Sequence, residues 1–314
     1  MDPRAYEKIL EDKFAKRFDK DRWYYSIELK PGFYTPGGNY KNIALTRKLL
    51  SRCDIQGLDC LDVACADGLI PTLMHRRGAR HVVGCDRNDF GMKIRQLKAR
   101  LGLEMEYNPL VTQQQIVDLS NKSERLGFDV VVNSGLLYHV FNTLGTMCLS
   151  RSLVRTDGIM IVETAGSSLN TYAEFFNAAG RMSPTDPTTF WYVTIKMMEY
   201  YGRMLRLEPI DAVFGPITEN ETKSLRFAIA FRATADYPAK PEDKWVQRTF
   251  EARDYMDLID WSVLDHATTK PVGYDAPADL PSTGRGIDTM ALLNQIGTYD
   301  APLDEVRLPL GVTV

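Results

Sequence analysis

Two carboxylates, Asp62 and Asp86, bracket a turn of small residues, Ala64-Cys65-Ala66-Asp67-Gly68. Leu58, Cys60, Leu61 and Val63 predict a short apolar strand, with Asp62 just before its carboxyl end. Small side chains in the turn let the backbone approach a ligand closely, and Gly68 can take a positive φ. Ile70 to Arg77 predict a helix that Gly78 stops. His81 to Cys85 predict a second strand, and Asp86 ends it. A carboxylate at that place can accept hydrogen bonds from both hydroxyls of a ribose. Strand, tight turn, helix, strand and acid make half of a doubly wound nucleotide-binding fold. The chemistry on offer is the holding of an adenosine-bearing cofactor.

The turn selects among such cofactors. A dinucleotide site needs G-x-G-x-x-G, because a pyrophosphate must lie on the helix N-terminus. No such run is present, and Asp67 in the turn repels phosphate. A ligand with a cationic centre, an amino group and no phosphate fits better, and S-adenosylmethionine is such a ligand.

The stretch Leu61 to Gly68 resembles the L-D-x-G-x-G-x-G motif of class I S-adenosylmethionine-dependent methyltransferases. Leu61, Asp62 and Gly68 match, while Ala64 and Ala66 stand where the first two glycines would be. Alanine is tolerated there if those positions need only negative φ. FDVVVNSGLLYH (Phe128 to His139) resembles the fourth-strand motif of the same enzymes. WYYSIELKPGFYTPG (Trp23 to Gly37) resembles a segment of a narrower group, the tRNA wobble-uridine methyltransferase-like and carboxymethyltransferase-like proteins. The resemblance covers residues 20 to 235. It implies an α/β, Rossmann-like class I methyltransferase sheet, mostly parallel with an antiparallel closing hairpin. An N-terminal helical lid and a C-terminal extension flank it.

The cofactor candidates are Asp62, Ala64, Cys65, Ala66, Gly68 and Asp86, with Arg87 bordering the adenine or facing water. Asp67 can alternatively cap the following helix. Asn133, Ser134 and Gly135 end the fourth strand, where open α/β sheets bind ligands; their backbone would meet the methionine end. Methyl transfer demands alignment and water exclusion more than a fixed constellation. A general base is needed only for a protonated nucleophile. His139 is the candidate base and Tyr138 the candidate positioning group; both can equally be packing residues. Trp23, Tyr24, Tyr25, Glu28, Tyr34 and Trp191 are candidate acceptor-binding residues, since aromatics beside a sulfonium gain a cation–π contribution. Tyr172, Phe175, Phe176, Phe190 and Tyr192 add aromatic surface, and Glu163 points near the same cleft. His75, His81 and His266 show no metal spacing, and no metal is expected.

The elements that position these residues alternate. Residues 4 to 20 and 43 to 53 predict helices. Beyond Asp86, helices are predicted over 89–101, 113–125 and 143–154. Strands are predicted over 103–107, 128–133 and 159–163, the fourth nearly all apolar as a doubly covered strand must be. Residues 170 to 187 read as helix then loop, and 189 to 204 as a helix. Leu207 to Phe214 and Ser224 to Ala233 close the sheet. Residues 245 to 261 and 287 to 296 predict helices in a Pro- and Gly-rich tail that holds Trp245, Leu292 and Leu293. The tail therefore wraps this subunit or a neighbouring one. The organisation is a lid (1–42), a methyltransferase domain (43–235) with an insertion at about 166–204, and an extension (236–314).

The chain of 314 residues carries net charge −3. Residues from Asp236 onward hold seven Lys/Arg and fourteen Asp/Glu, leaving +4 for the rest. No apolar run approaches the roughly twenty residues of a membrane span, and the N-terminus lacks an apolar signal core. Five cysteines without a C-x-x-C pair predict reduced, buried thiols and a cytoplasmic protein. Three functions are compatible: methyl transfer to a small-molecule acceptor, modification of tRNA wobble uridine, and a non-catalytic cofactor-binding scaffold. Val140-Phe141 stand after His139 where carboxymethylating relatives carry basic residues, which favours plain methyl transfer. A homodimer through the extension is possible.

Overall fold

The computed structural model describes residues 23–38, 41–112, 115–116, 118–119, 126–178, 188–236, 271–282 and 286–302. In chain order the elements are β1 (Glu28–Lys30), β2 (Phe33–Tyr34), α1 (Asn42–Leu50), β3 (Asp59–Val63), α2 (Leu69–Arg76) and β4 (His81–Cys85). Then follow α3 (Gly91–Leu101), β5 (Glu106–Asn108), β6 (Phe128–Ser134), α4 (Thr143–Arg151), β7 (Val154–Ser167) and β8 (Glu174–Phe176). The last are β9 (Trp191–Thr194), α5 (Ile195–Met204), β10 (Leu207–Phe214), β11 (Ser224–Ala233) and α6 (Thr289–Ile296).

The main sheet runs β10-β11-β7-β6-β3-β4-β5. Neighbours from β7 to β5 are parallel, while β11 is antiparallel to both β7 and β10. This is the expected Rossmann-like methyltransferase sheet with its antiparallel closing strand pair. Order reverses between β3 and β6, which leaves a crevice beyond their carboxyl ends.

Alternation along the strands builds two cores. Val131, Met160, Val162, Phe227 and Ile229 face α4 and α5. Val130, Val132, Ile161, Ala228 and Ala230 face α1, α2 and α3. In LRFAIAFRA the phenylalanines fill one side, and Ala228 and Ala230 on the other let α1 lie close.

Several elements differ from the sequence expectation. Of the expected 170–187 helix and loop, the described residues include a strand instead, and the first residues of the expected 189–204 helix are a strand too: β8 and β9 pair antiparallel, and β9 pairs with the end of β7. Trp191, Tyr192, Val193 and Thr194 are aromatic or β-branched and suit a strand. The helix starts only at Ile195, where the Thr194 side chain accepts from Met197 N. β7 extends from Val154 to Ser167, well past the expected 159–163, so it takes in Gly166 and Ser167, the start of the expected insertion. The third parallel strand covers Glu106–Asn108 rather than 103–107. The expected helices over 4–20 and 245–261 lie outside the described residues, as does most of 113–125.

The described part of the extension packs on its own chain. Leu292 and Leu293 of α6 enter the core beside α5. Thr289 donates to Glu199 Oε2, and Glu199 is paired with Arg203. Val272 N donates to Asp157 O at 3.1 Å, and Tyr274 donates its hydroxyl proton to Asp211 Oδ2 at 2.7 Å. All five cysteines are free and buried. Among the described residues no helix is long and apolar enough to cross a membrane.

Candidate active site

The turn after β3 is built around backbone N–H groups. Ala66 N donates to Asp86 Oδ2 at 2.9 Å, and Cys65 N to Cys85 O at 2.9 Å. Asp86 Oδ1 accepts from Asn88 N at 2.8 Å. To aim its N–H groups this way, the turn takes positive φ at Ala64 (64°), Ala66 (46°) and Gly68 (91°). The two alanines therefore occupy backbone that favours glycine, against the negative φ that would have made them harmless. Gly68 is doubly required, because a Cβ there would lie 2.7 Å from Ile94 Cδ1.

The alanines carry a stability cost. A Cβ in the left-handed region costs about 1–2 kcal/mol, and glycine's extra unfolded freedom takes back about 0.4–1 kcal/mol. Ala66→Gly is expected to stabilise the protein by roughly 0.5–1 kcal/mol. Urea denaturation of the variant beside wild type checks this; a less stable variant would contradict it.

Three acids crowd this turn. Asp62, Asp67 and Asp86 are all buried. Burial, then the charge of Asp86, pushes Asp62 well above the usual carboxylate range. Burial likewise raises Asp86 against the hydrogen bonds from Asn88 and Ala66. Asp67 is pushed up to about 6 by burial, opposed by the N–H groups of Tyr25 and Tyr24. Closely buried carboxylates of this kind favour a ligand with positive charge. The cationic ammonium and sulfonium of S-adenosylmethionine fit that demand, and a pyrophosphate does not. Asn108, at the end of β5 beside Asp86, has a buried Nδ2 with no partner among the described residues. Asp86 N donates to Asn108 O at 3.2 Å. The sequence reading passed over Asn108, although Asn-Pro at a strand's carboxyl end was a signal.

Beyond β6, Gly135 has φ 75° and its N–H donates to Glu163 O at 3.0 Å. Ser134 Oγ lies 2.8 Å from Thr46 Oγ1 of α1. Asn133, expected at the ligand, turns its side chain away and donates to Ser150 Oγ at 2.9 Å. Only its backbone remains at the strand end. Glu163 is fully buried and takes a two-pronged pair from Arg226, at 2.7 and 2.8 Å. The Arg226 guanidinium lies 4.2 Å from the centre of the Tyr138 ring. Arg226 was missed in the sequence, though an arginine between Leu225 and Phe227 in the apolar strand β11 marked it.

Tyr138, Ala165 and Tyr192 form a small buried cluster with Phe175 against it. Phe175 and Tyr192 are cross-strand partners and share a face; Phe176 and Trp191 form the next pair and take the opposite one. The Trp191 and Phe176 rings meet edge-on at 5.0 Å, with Phe176 half exposed. Tyr192 and Phe175 thus line the side facing Tyr138, rather than Trp191. His139 Nδ1 lies 2.8 Å from Thr188 O. Thr188 Oγ1 is 3.0 Å from the same nitrogen; in the tautomer that donates Nδ1–H to the carbonyl, the ring lone pair is on Nε2.

The remaining candidates divide. Tyr24 and Tyr25 sit on the turn, joined to it by their backbone N–H groups and Asp67. Tyr25 lies within electrostatic reach of Asp62, Asp67 and Tyr138. Trp23 is buried in the core on the α1–α3 side of the sheet. Glu28 accepts from Gly32 N at 2.6 Å and holds the β1–β2 hairpin. Tyr34 lies on β2, half-buried, and Arg87 is exposed. Asp67 does not cap α2; Gly68 is the cap, without a side-chain bond.

Residues 55–206 match the sequence model of a methyltransferase domain. The ubiquinone biosynthesis O-methyltransferase of Cereibacter sphaeroides (strain ATCC 17025 / ATH 2.4.3) is 31% identical over 180 residues, 55% of this chain and 70% of the relative. The chain belongs to the S-adenosylmethionine-dependent methyltransferases. The enzyme of the same name from Maricaulis maris is 27% identical over 192 residues, 59% of this methyltransferase and 73% of the relative. Among solved structures, Burkholderia thailandensis 1,6-didemethyltoxoflavin-N1-methyltransferase, with its namesake ligand and S-adenosylhomocysteine bound, is 16% identical. It covers 74% of this chain and 91% of its own, with a TM-score of 0.45. This methyltransferase takes S-adenosylmethionine as its cofactor. Asp62, the 64–68 turn, Asp86 and Asn108 are the residues suited to hold it.

Proposed function

We propose that this methyltransferase methylates a small aromatic hydroxyl compound held between Tyr138, Ala165, Phe175 and Tyr192. The observation that carries the reading is this aromatic cluster, standing beside Gly135 at the carboxyl end of β6. Flat apolar walls with few polar groups suit a small aromatic acceptor. The two sequence relatives reported above are O-methyltransferases by name, which supports oxygen as the accepting atom.

S-adenosylmethionine, when bound, supplies an activated methyl on a sulfonium and departs as a neutral thioether. The turn and Asp86 fix its ribose end, and the acidic cleft balances its positive charge. Tyr25 and Tyr138 close over the reacting end and exclude water, which sharpens alignment of the acceptor oxygen behind the methyl. His139 Nε2 takes the acceptor's hydroxyl proton as the new oxygen–carbon bond forms. Arg226, held by Glu163, keeps the Tyr138 ring in place.

The test is release of S-adenosylhomocysteine with a panel of neutral phenols and catechols, and separately with bulk tRNA at low and raised salt. Turnover with a phenol is the expected result. His139→Ala should then lower kcat by about 10²–10⁴-fold, the usual worth of a general base, with cofactor affinity unchanged. Methylation of tRNA with no phenol accepted would contradict the proposal, as would an unchanged kcat in the variant.

A further inference from the structure

The aromatic loop 23–38 and the cofactor turn meet at one side chain. Asp67 Oδ2 accepts the backbone N–H of Tyr24 and that of Tyr25, the latter at 3.1 Å. Asp67 is fully buried. On one side stands Ala66, whose N–H is spent on Asp86; on the other stands Gly68, which opens α2. A single turn therefore grips both the ribose acid and the loop.

The loop is itself a closed unit. Gly38 N donates to Tyr24 O at 2.8 Å, and Thr35 N to Ile27 O at 2.8 Å. Thr35 Oγ1 donates to Tyr25 O at 2.6 Å and accepts from Ile27 N at 2.8 Å. A Cβ on Gly37 would fall 1.9 Å from Tyr25 O, so the loop closes only over glycine. Trp23 and Ile27 anchor its stem in the core on the α1–α3 side of the sheet. The backbone N–H groups of Tyr24 and Tyr25 tie this unit to the turn through Asp67. Tyr25 donates one of these two N–H groups, and its ring meets that of Tyr24 edge-on at 4.7 Å.

We infer that Asp67 is a latch: a positioning residue that fastens the aromatic loop over the bound cofactor by accepting two backbone N–H groups. It acts on cofactor retention through the loop rather than through its charge. The inference rests on the cofactor and not on the acceptor proposed above, so the two can fail separately.

Asparagine and alanine at this position separate acceptor from charge. Asparagine keeps one oxygen able to take both N–H groups and carries no charge; alanine keeps neither. Two readouts are needed: hydrogen exchange of amides 23–38 without cofactor, and the dissociation rate of S-adenosylmethionine. In Asp67→Ala the loop amides should exchange faster and the cofactor should leave about tenfold faster or more, since two buried donors lose their partner. Asp67→Asn should resemble wild type in both. Should Asp67→Ala fail to fold, Gly37→Ala opens the loop from its own side with Asp67 intact, and should show the same two changes.

Three results would overturn the latch. One is loop protection unchanged in Asp67→Ala. Another is fast cofactor loss in Asp67→Asn while the loop stays protected, which would assign Asp67 a direct charge interaction. The third is slow cofactor loss in Gly37→Ala while its loop exchanges freely.

Discussion

Arg155→Leu is expected to lower the stability of the fold by about 3–5 kcal/mol, the usual cost of breaking a buried ion pair from one side. Arg155 is fully buried at the start of β7. Its guanidinium lies 3.0 Å from Asp59 Oδ2 on β3 and 2.9 Å from Asp129 Oδ1 on β6. Asp129 Oδ2 also accepts from Asp59 N at 2.9 Å. The cluster ties together the amino ends of three neighbouring strands, opposite the active site. Leucine fills part of the volume but leaves two carboxylates without their shared cation, while Asp59 keeps Arg80 at 2.6 Å. A variant that also carries Asp59→Asn and Asp129→Asn should recover part of the loss, because the charges go together. Urea denaturation reads the change; a loss below about 1 kcal/mol, the value of an exposed pair, would contradict the account. Burial pushes the Asp59 carboxyl up, but the bonds from Arg80 and Arg155 outweigh it and hold it below the usual range. A lowered folded value means that Asp59 adds stability above the ordinary carboxylate value. That stability is lost as pH falls from there through the lower folded value.

Asp86→Ala is expected to weaken S-adenosylmethionine binding by about a hundredfold or more. Two hydrogen bonds from ribose hydroxyls to a carboxylate are each worth about 1.5–3 kcal/mol, and 1.4 kcal/mol is a factor of ten. The variant also strips Ala66 N and Asn88 N of their acceptor, so the turn loses its shape together with its ribose partner. Asp86→Asn separates the two effects: it can still accept one of these N–H groups, and its loss should be smaller. The fold should survive both changes, because Asp86 stands at the edge of the crevice and its own pKa is raised by burial. An affinity within threefold of wild type for Asp86→Ala, on the order of the 0.6 kcal/mol of thermal energy, would contradict the assignment of Asp86.

Local signals carried the central sheet. β4 spans His81–Cys85 as expected, since Gly78 and Asp86 punctuate it on both sides. The first and fourth strands were legible for the same reason: short apolar runs bounded by turn residues. What failed was information carried by distant partners. Arg155 to Gly158 look like a polar turn, yet they continue β7, because Arg155 finds Asp59 and Asp129 on other strands. The bulk of Phe190 to Val193 suggested a helix, while pairing of β9 with β7 and β8 makes a strand.

The same division holds in the candidate site. Asp62, Asp86 and the turn could be placed from spacing alone. That Ala64 and Ala66 take positive φ could not, since that follows from aiming Ala66 N at Asp86. Asp67 reads as a capping residue in isolation; its true partners lie in the aromatic loop, more than forty residues earlier. Arg226 gains meaning only when β11 lies beside β7 and brings it to Glu163.

The most direct measurement is calorimetric titration of the full chain at neutral pH with S-adenosylmethionine and, separately, with NAD. The buried acids of the turn and Asp86 predict saturable, one-to-one binding of S-adenosylmethionine and none of NAD, since the turn has neither the glycine pattern nor the charge for a pyrophosphate. Binding of NAD, or no heat from S-adenosylmethionine, would contradict the account of the site.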